Sequence, residues 1–451
     1  MSDSRRPFGF NLIGFLSGNF GLAVAGRQTA RLLLENDLPV SLRDVDTHDG
    51  RSGNDHTYDD LLMKTPWGLP YGITVFHVNP PELEVRIPLE WMLMPLDKRM
   101  NVIVPFWELP TLPALWRDMI GLMDVVLAPT LYVRDIIESA MPGARVIHYP
   151  QSVDIPEGAH ADRARFGIPG DRTVFLSAFD MASDIHRKNP WSAIDAFEEA
   201  FGPDDAMALV VKLNNSDLWD HAAPLKERLY ARAEANPSIM IIDEKMSYTD
   251  VVSLYASCDV FISLHRAEGL GLILMEMMSL GKPVIATAWS GNMDFMTEEN
   301  SCLVGYEMVG VESSHISYQE ESSRTNAQWA DPHVDEAAEW MRRLAEDPTL
   351  REGLGTRAAA DMAQRRTSSE RLVPFLELKA LYESGAYLEG HAGRAAEIRK
   401  RRRTGVIALR GRIARALVNR TIRGAKRVLR PLAPVLRPVW NALRRLAGRD
   451  S

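Results

Sequence analysis

Short apolar runs of strand length alternate with segments of helical period, and the alternation occurs twice. FGFNLIGF (8–15), PVSLRDV (39–45), ITVFHV (73–78), NVIVPF (101–106), VVLAP (125–129) and RVIHY (145–149) read as strands. A helical pattern from about Leu22 to Glu35 follows the first of them. Around 150–172 the rhythm is interrupted by Pro156, Gly158, Pro169 and Gly170. It resumes with TVFLSAF (173–179), MALVVKL (207–213), SIMIID (238–243), DVFISL (259–264) and KPVIAT (282–287). Continuous apolar strands separated by helices are what a parallel sheet covered on both faces requires. The reading is an α/β chain of two Rossmann-like, doubly wound parallel-sheet domains, 1–165 and 166–390, facing a cleft. Ligands of such sheets sit beyond the carboxyl ends of the strands. Residues 308–332 read as a polar loop or excursion, with helical patterns following at 333–346 and 369–385.

Charge separates a further segment. Residues 391–451 hold 18 of the 52 Lys and Arg but 2 of the 60 Asp and Glu, a net +16 against −24 for the rest. The run Arg399 to Arg403 is followed over 406–430 by apolar and basic residues on opposite sides of a helix projection. A basic amphipathic helical tail of this kind suits an anionic membrane surface, reached through 394–451. A protein partner or self-association is the alternative. Nucleic acid fits poorly, because the tail carries no recognisable module and the body is acidic. Cys258 and Cys302 are too few for a disulfide framework or a multi-cysteine zinc site and read as buried thiols in a reducing compartment. The N-terminal MSDSRRPFGFNLIGF reads as a first strand and not a signal peptide, and no apolar run reaches membrane-spanning length. The expected location is cytoplasmic, peripheral on the inner face of the cytoplasmic membrane.

The segment richest in chemistry is DVFISLHRAEGLGLILMEMMSLGKPVIAT (259–287). A strand ends near Leu264, the turn Glu268-Gly269-Leu270-Gly271 follows, and a helix runs to Gly281 before the next strand. Such a βαβ unit aims a helix N-terminus and free amides at the cleft, which favours a phosphate-bearing ligand. Glu276 is the only charge inside LILMEMMSL, and a buried glutamate needs partners such as ribose hydroxyls. Solvent exposure or a nearby cation would serve it equally.

This string resembles the signature of family 4 glycosyltransferases, retaining enzymes of GT-B fold. The matching residues are Glu268, Gly269, Leu270, Gly271, Glu276 and Gly281-Lys282-Pro283-Val284-Ile285-Ala286-Thr287. The resemblance implies that Glu268 touches the donor sugar near the reacting carbon, that Glu276 holds the nucleotide ribose, and that the amides of Gly269 to Gly271 bind the diphosphate. It implies a UDP- or GDP-sugar as co-substrate with no bound cofactor. The family also places an Arg and a Lys in the loop here formed by His186-Arg187-Lys188. Lys188 stands at the Lys position, Ala182 occupies the place of the usual Arg, and Arg187 is the candidate substitute. Positive charge at that point serves a departing diphosphate.

Around this core, Lys212 at a strand end reads as a diphosphate contact or a surface lysine. His265 reads as a donor-pocket or structural residue, and Ser290-Gly291-Asn292 as further pocket lining, with Asp294 a weaker candidate. In the first half, the resemblance implies that the loop holding Gly18 and Gly21 faces the donor across the cleft. Arg27 is a phosphate contact or a surface residue, and His77, beside Asn79, an acceptor contact or a satisfied core histidine. Glu108 lies just past a strand with no assigned role. Asp44-Val45-Asp46 looks like a metal-holding D-x-D motif, a reading set aside because the resemblance is to a metal-independent class; His48, Asp49, Asp55 and His56 nearby match no metal spacing. The expected activity is retaining, metal-independent sugar transfer to a hydroxyl of a glycan or lipid-linked acceptor, in cell-surface polysaccharide or glycolipid synthesis. The alternatives are a non-catalytic GT-B scaffold tethered by its tail, or another GT-B enzyme such as a sugar-nucleotide epimerase; a phosphorylase would need a cofactor lysine that is not found.

Overall fold

The computed structural model describes residues 6–45, 51, 53, 55–65, 68–85, 96–202, 205–216, 223–313 and 315–401. The chain divides into two compact units, Met1–Ala395 and Ala396–Ser451. His391 and Arg394 belong to the first, where both bond Asp124 Oδ1 at 2.9 Å. The candidate tail helix over 406–430 lies outside the described residues.

The first unit holds two parallel six-stranded sheets. Strands β1 (Phe10–Gly14), β2 (Val40–Asp44), β3 (Ile73–His77), β4 (Met100–Ile103), β5 (Val125–Ala128) and β6 (Val146–His148) lie in the order β2-β1-β3-β4-β5-β6. Strands β7 (Thr173–Asp180), β8 (Met207–Asn214), β9 (Ile239–Ile242), β10 (Val260–Ser263), β11 (Val284–Thr287) and β12 (Cys302–Val304) lie in the order β12-β11-β10-β7-β8-β9. The pairings are parallel throughout both sheets. Strand direction of winding reverses between β1 and β3 in one sheet and between β7 and β10 in the other. The carboxyl ends of these two pairs are where each half can hold a ligand. Central strands are buried along their length, β1 and β3 among them, which is why their sequences are continuous apolar runs and not alternating ones.

Three elements depart from the sequence reading. Cys302–Val304 adds strand β12, too short to carry a pattern of its own. The excursion is a folded module: β13 (Tyr306–Gly310) pairs antiparallel with β14 (Gln328–Pro332), and the helix Ile316–Thr325 lies between them in sequence. Its β13 is largely solvent-facing, so it lacks the apolar signal of a core strand. A helix at Pro348–Thr367 fills the gap between the two expected helical segments, and Val373–Ser384 then returns to the first sheet. There Phe375 packs its ring 5.6 Å from Phe10 and 5.1 Å from Tyr149, and Tyr382 Oη donates to the Arg6 carbonyl at 2.7 Å. This helix therefore ties the second half back onto the first.

Candidate active site

Beyond the β10 carboxyl end the chain turns sharply through Glu268 to Gly271 and enters the helix Leu272–Ser279. Gly271 has φ +93°, and a Cβ there would meet Leu274 Cδ1 at 2.8 Å, so only glycine starts this helix without strain. Gly269 lies against the first half: a Cβ there would sit 3.1 Å from the Trp107 carbonyl oxygen and 3.2 Å from its nitrogen. Thr130 Oγ1 donates to the Gly269 carbonyl at 3.0 Å, a second seam between the halves. The Glu268 backbone is held from beneath, its N–H donating to Ser290 Oγ and its carbonyl accepting from Gly291 N–H, both at 2.8 Å.

Across the winding reversal, β7 leads to the short helix Ile185–Lys188. Asp184 caps it, accepting from Arg187 N–H at 2.8 Å. Asn189, left-handed at φ 49°, breaks it, and Pro190 starts the next helix, Pro190–Ala200. Asn189 Nδ2 donates to the Leu264 carbonyl at 2.9 Å, which fixes this corner against the β10 end. The break leaves Arg187 and Lys188 facing Glu268. Lys188 Nζ bonds Glu268 Oε1, and Arg187 Nη1 lies 3.2 Å from Glu268 Oε2 while donating to the Ala267 carbonyl at 2.8 Å. Burial alone would raise the Glu268 pKa, but Lys188 and Arg187 outweigh it and bring it down to about 2. The carboxylate is therefore ionised across the working pH range. Burial disfavours the charge on Arg187, but Glu108 and Glu268 overcome this and hold its pKa above the ordinary value. Glu108, from the first half, is 3.6 Å from Arg187 Nη2 and accepts from Tyr318 Oη at 2.6 Å.

The cleft between the halves has a volume of about 560 Å³. It is lined by Gly21, Arg187, Lys188, Lys212, Glu268, Gly269, Leu270, Gly271 and Glu276, which the two winding reversals bring together. Glu276 is buried in its helix and accepts from Tyr248 Oη at 2.8 Å. Burial lifts its pKa to about 7, with the Tyr248 bond and Arg27 opposing. Lys212 is also buried, donating to the Glu244 carbonyl at 2.8 Å, and burial lowers its pKa to about 8. Asn19 closes this end from the first half: its Nδ2 donates to the Met246 carbonyl at 2.7 Å and its own carbonyl accepts from Asn214 Nδ2 at 3.0 Å.

Four expected site residues lie behind the cleft wall and not on it. His77 is fully buried, its ring 5.5 Å from Phe106 with both nitrogens unpartnered among the described residues, and burial lowers its pKa to about 4. It is a core histidine, because β3 is covered on both faces. Gly18 uses its carbonyl to accept from Arg27 Nη1 at 2.7 Å, and Arg27 in turn pairs with Asp55 at 3.2 Å. Both brace the glycine loop. His265 is fully buried, 3.1 Å from Ser263 Oγ and from Asn292 Oδ1, and Asn292 donates to the Thr287 carbonyl at 3.0 Å. Their work is to hold the Glu268 turn from below. Asp294 accepts from Leu131 N–H at 2.8 Å and lies 3.1 Å from His148, an interdomain seam. Asp44 accepts from the Ser17 hydroxyl at 2.6 Å and so supports the glycine loop; Asp46, His48 and Asp49 lie outside the described residues, and His56 pairs with Asp59 at 2.8 Å. Tyr248, His315 and Tyr318 line the cleft without having been singled out. Nothing local marks an isolated tyrosine or histidine on a polar helix as a cleft residue.

Comparison with known proteins agrees with this geometry. Residues 161–308 match the family model described as Glycosyl transferases group 1, which spans the second half's sheet and the whole Lys188–Glu276 wall. No curated protein matches the sequence. Among solved structures, the chain is similar to sucrose-phosphate synthase from Thermosynechococcus elongatus, with TM-score 0.60, 13% identity, and 84% of this chain and 100% of that chain covered. It is similar to the Anabaena protein HepE, determined with UDP and glucose, with TM-score 0.56, 14% identity, and 83% and 100% covered. It is also similar to α,α-trehalose 6-phosphate synthase from Burkholderia multivorans, with TM-score 0.55, 13% identity, and 85% and 98% covered. At such identities the likeness is one of fold. Two parallel six-stranded sheets facing a cleft constitute the GT-B fold, and residues 161–308 are similar to the glycosyl transferases group 1 domain.

Proposed function

We propose that the protein transfers a sugar from a nucleotide-sugar donor to an acceptor hydroxyl with retention of configuration and without a metal ion. The observation that carries this reading is the juxtaposition of an ionised Glu268 with Lys188, beside the amides that open the helix at Gly271. Glu268 accepts from donor-sugar hydroxyls. Lys188 and the Gly269–Gly271 amides take up charge on the diphosphate as the glycosidic bond breaks, where preorganised donors are most effective. Glu276, within reach of Tyr248, binds the ribose, and Lys212 meets the diphosphate. The acceptor hydroxyl attacks from the face that the diphosphate leaves, and its proton passes to the departing phosphate oxygen. Arg187 has a supporting part: shared between Glu268 and Glu108, it fixes the carboxylate more than it offers free charge. The HepE structure holds UDP and glucose, which supports a UDP-sugar as the first donor to try.

Thermal shift with UDP, GDP, ADP and their sugars, on wild type and Glu276→Ala, tests this. One nucleotide should stabilise the wild type and lose its effect in the variant. Well-folded protein that responds to none of them would move the reading to a non-catalytic scaffold. The basic segment is assigned to an anionic membrane surface, which suits a lipid-linked or cell-surface glycan acceptor. Among the described residues no helix is long and apolar enough to cross a membrane. The chain ending at Arg401 should lose binding to anionic vesicles that the full chain retains; equal binding by both refutes the assignment.

A further inference from the structure

The excursion at 306–332 belongs to neither parallel sheet, yet it reaches the first half at three points. Tyr318 Oη donates to Glu108, the Tyr318 and Trp107 rings lie 5.3 Å apart, and the Thr111 and Thr325 hydroxyls are 3.1 Å apart. Contacts run in order from Tyr318 through Glu108, Arg187 and Glu268 to Lys188. The module therefore lines the cleft beside Glu108, and it also meets the Lys188 corner, where Ser313 Oγ and His315 N–H donate to Asp184 Oδ2. An acceptor whose hydroxyl attacks beside a diphosphate on Lys188 would rest against this module, an argument that rests on the donor reading above.

The chemistry of that wall is selective. This part of the cleft is lined by Glu82, Glu108, Trp107, Trp116 and His315, with Asp184 behind them, its carboxylate already accepting from Arg187 N–H, Ser313 Oγ and His315 N–H. Arg187, the cation that faces Glu108, is already shared by two carboxylates and a carbonyl. Burial lowers the pKa of His315 against the pull of Glu108 and Asp184, which disfavours a positive charge on its ring. We propose that the β13–helix–β14 module is the acceptor wall and that the sugar ring it admits is neutral and hydroxyl-rich, phosphate esters being rejected. Sugar hydroxyls can donate to carboxylates while an apolar sugar face rests on aromatic rings. A phosphate needs unshared cations or convergent donors and would instead meet like charge.

The test uses the full chain, with UDP-glucose, GDP-mannose and ADP-glucose as probe donors and nucleotide release as the readout. Acceptors are offered in pairs: glucose, mannose and fructose, each beside its 6-phosphate. At least one neutral sugar should accelerate release at least about tenfold more than its phosphate ester. Glu108→Gln should narrow that ratio at least about fivefold by removing one charge, whereas Tyr318→Phe, which keeps the charge, should retain it. Three results overturn the proposal: a phosphate ester that matches its neutral partner, donor hydrolysis that no neutral sugar accelerates, or a ratio unmoved by Glu108→Gln. A chain that neither binds nor hydrolyses any of the probe donors fails at the donor reading itself, and this proposal falls with it.

Discussion

Glu276 is the only charge in a helix that is otherwise apolar up to Ser279, with one hydroxyl to satisfy it, and this makes it a net burden on the folded chain. Its pKa rises from an ordinary 4.5 to about 7, chiefly because burial penalises the carboxylate. Between those values the folded state holds a proton that the unfolded state has released, so stability falls as pH rises through this window. At 1.36 kcal/mol per pH unit the loss amounts to about 3 kcal/mol, complete above about pH 7. Glu276→Gln keeps an oxygen for the Tyr248 hydroxyl and removes the ionisation. It should therefore match the wild type at pH 4.5 and exceed it by about 3 kcal/mol at pH 8, while losing stabilisation by donor nucleotide. Urea unfolding at both pH values measures the difference, provided the slope is unchanged between the two proteins. A variant no more stable than wild type at pH 8, or one whose advantage is the same at both pH values, would refute the claim that burial of this carboxylate governs the effect. Such a cost is tolerated where a ligand later supplies the missing donors.

Other expectations follow from the same geometry. Gly269→Ala places a methyl against the backbone of Trp107, which cannot rotate away, and should cost about 1–3 kcal/mol of stability; unfolding curves indistinguishable from wild type would show that the halves separate at no cost. Lys188→Ala should reduce transfer by about 10²–10³-fold, since it removes the cation from the diphosphate side of Glu268; steady-state kinetics with the donor found by thermal shift checks it. UDP affinity should weaken between pH 7 and pH 9 as Lys212, with its pKa near 8, loses its proton, and Lys212→Met should flatten that profile in calorimetric titrations. Cys258 and Cys302, buried and pushed up to about 12, should resist a thiol reagent in the native protein and react together on unfolding.

The two ends of the cleft are closed by different means. Asn19 joins the glycine loop to the 246 turn and to Asn214, all through single hydrogen bonds. The far end is joined by Glu108, which links an ion pair to a tyrosine from the excursion. Opening at the Asn19 end would expose the Glu276 side to a nucleotide without disturbing Arg187.

Much of this molecule is written locally. Strands buried on both faces must be continuous apolar runs, and so β1 through β11 are legible as strings, as are the glycines and glutamates that a phosphate-facing turn requires. Gly271 is demanded by its own backbone, Asp184 and Pro190 by the helix ends they start, and Glu276 declares itself by being charged among apolar neighbours. What the string does not hold is the identity of a neighbour far along the chain. His77 and His265 have the right residue type at a strand's carboxyl end, but packing from other elements closes over them. Glu108 has no local signature, and it acquires a role when the two halves and the excursion bring Arg187 and Tyr318 to it from 79 and 210 residues away. Periodicity and turn chemistry are properties of adjacent residues, so the sequence alone determines the sheets, their loops and the Glu268–Gly271 turn. Burial, ionisation and partnership depend on which surfaces meet, and for the Glu108 end of this cleft only the tertiary structure decides them.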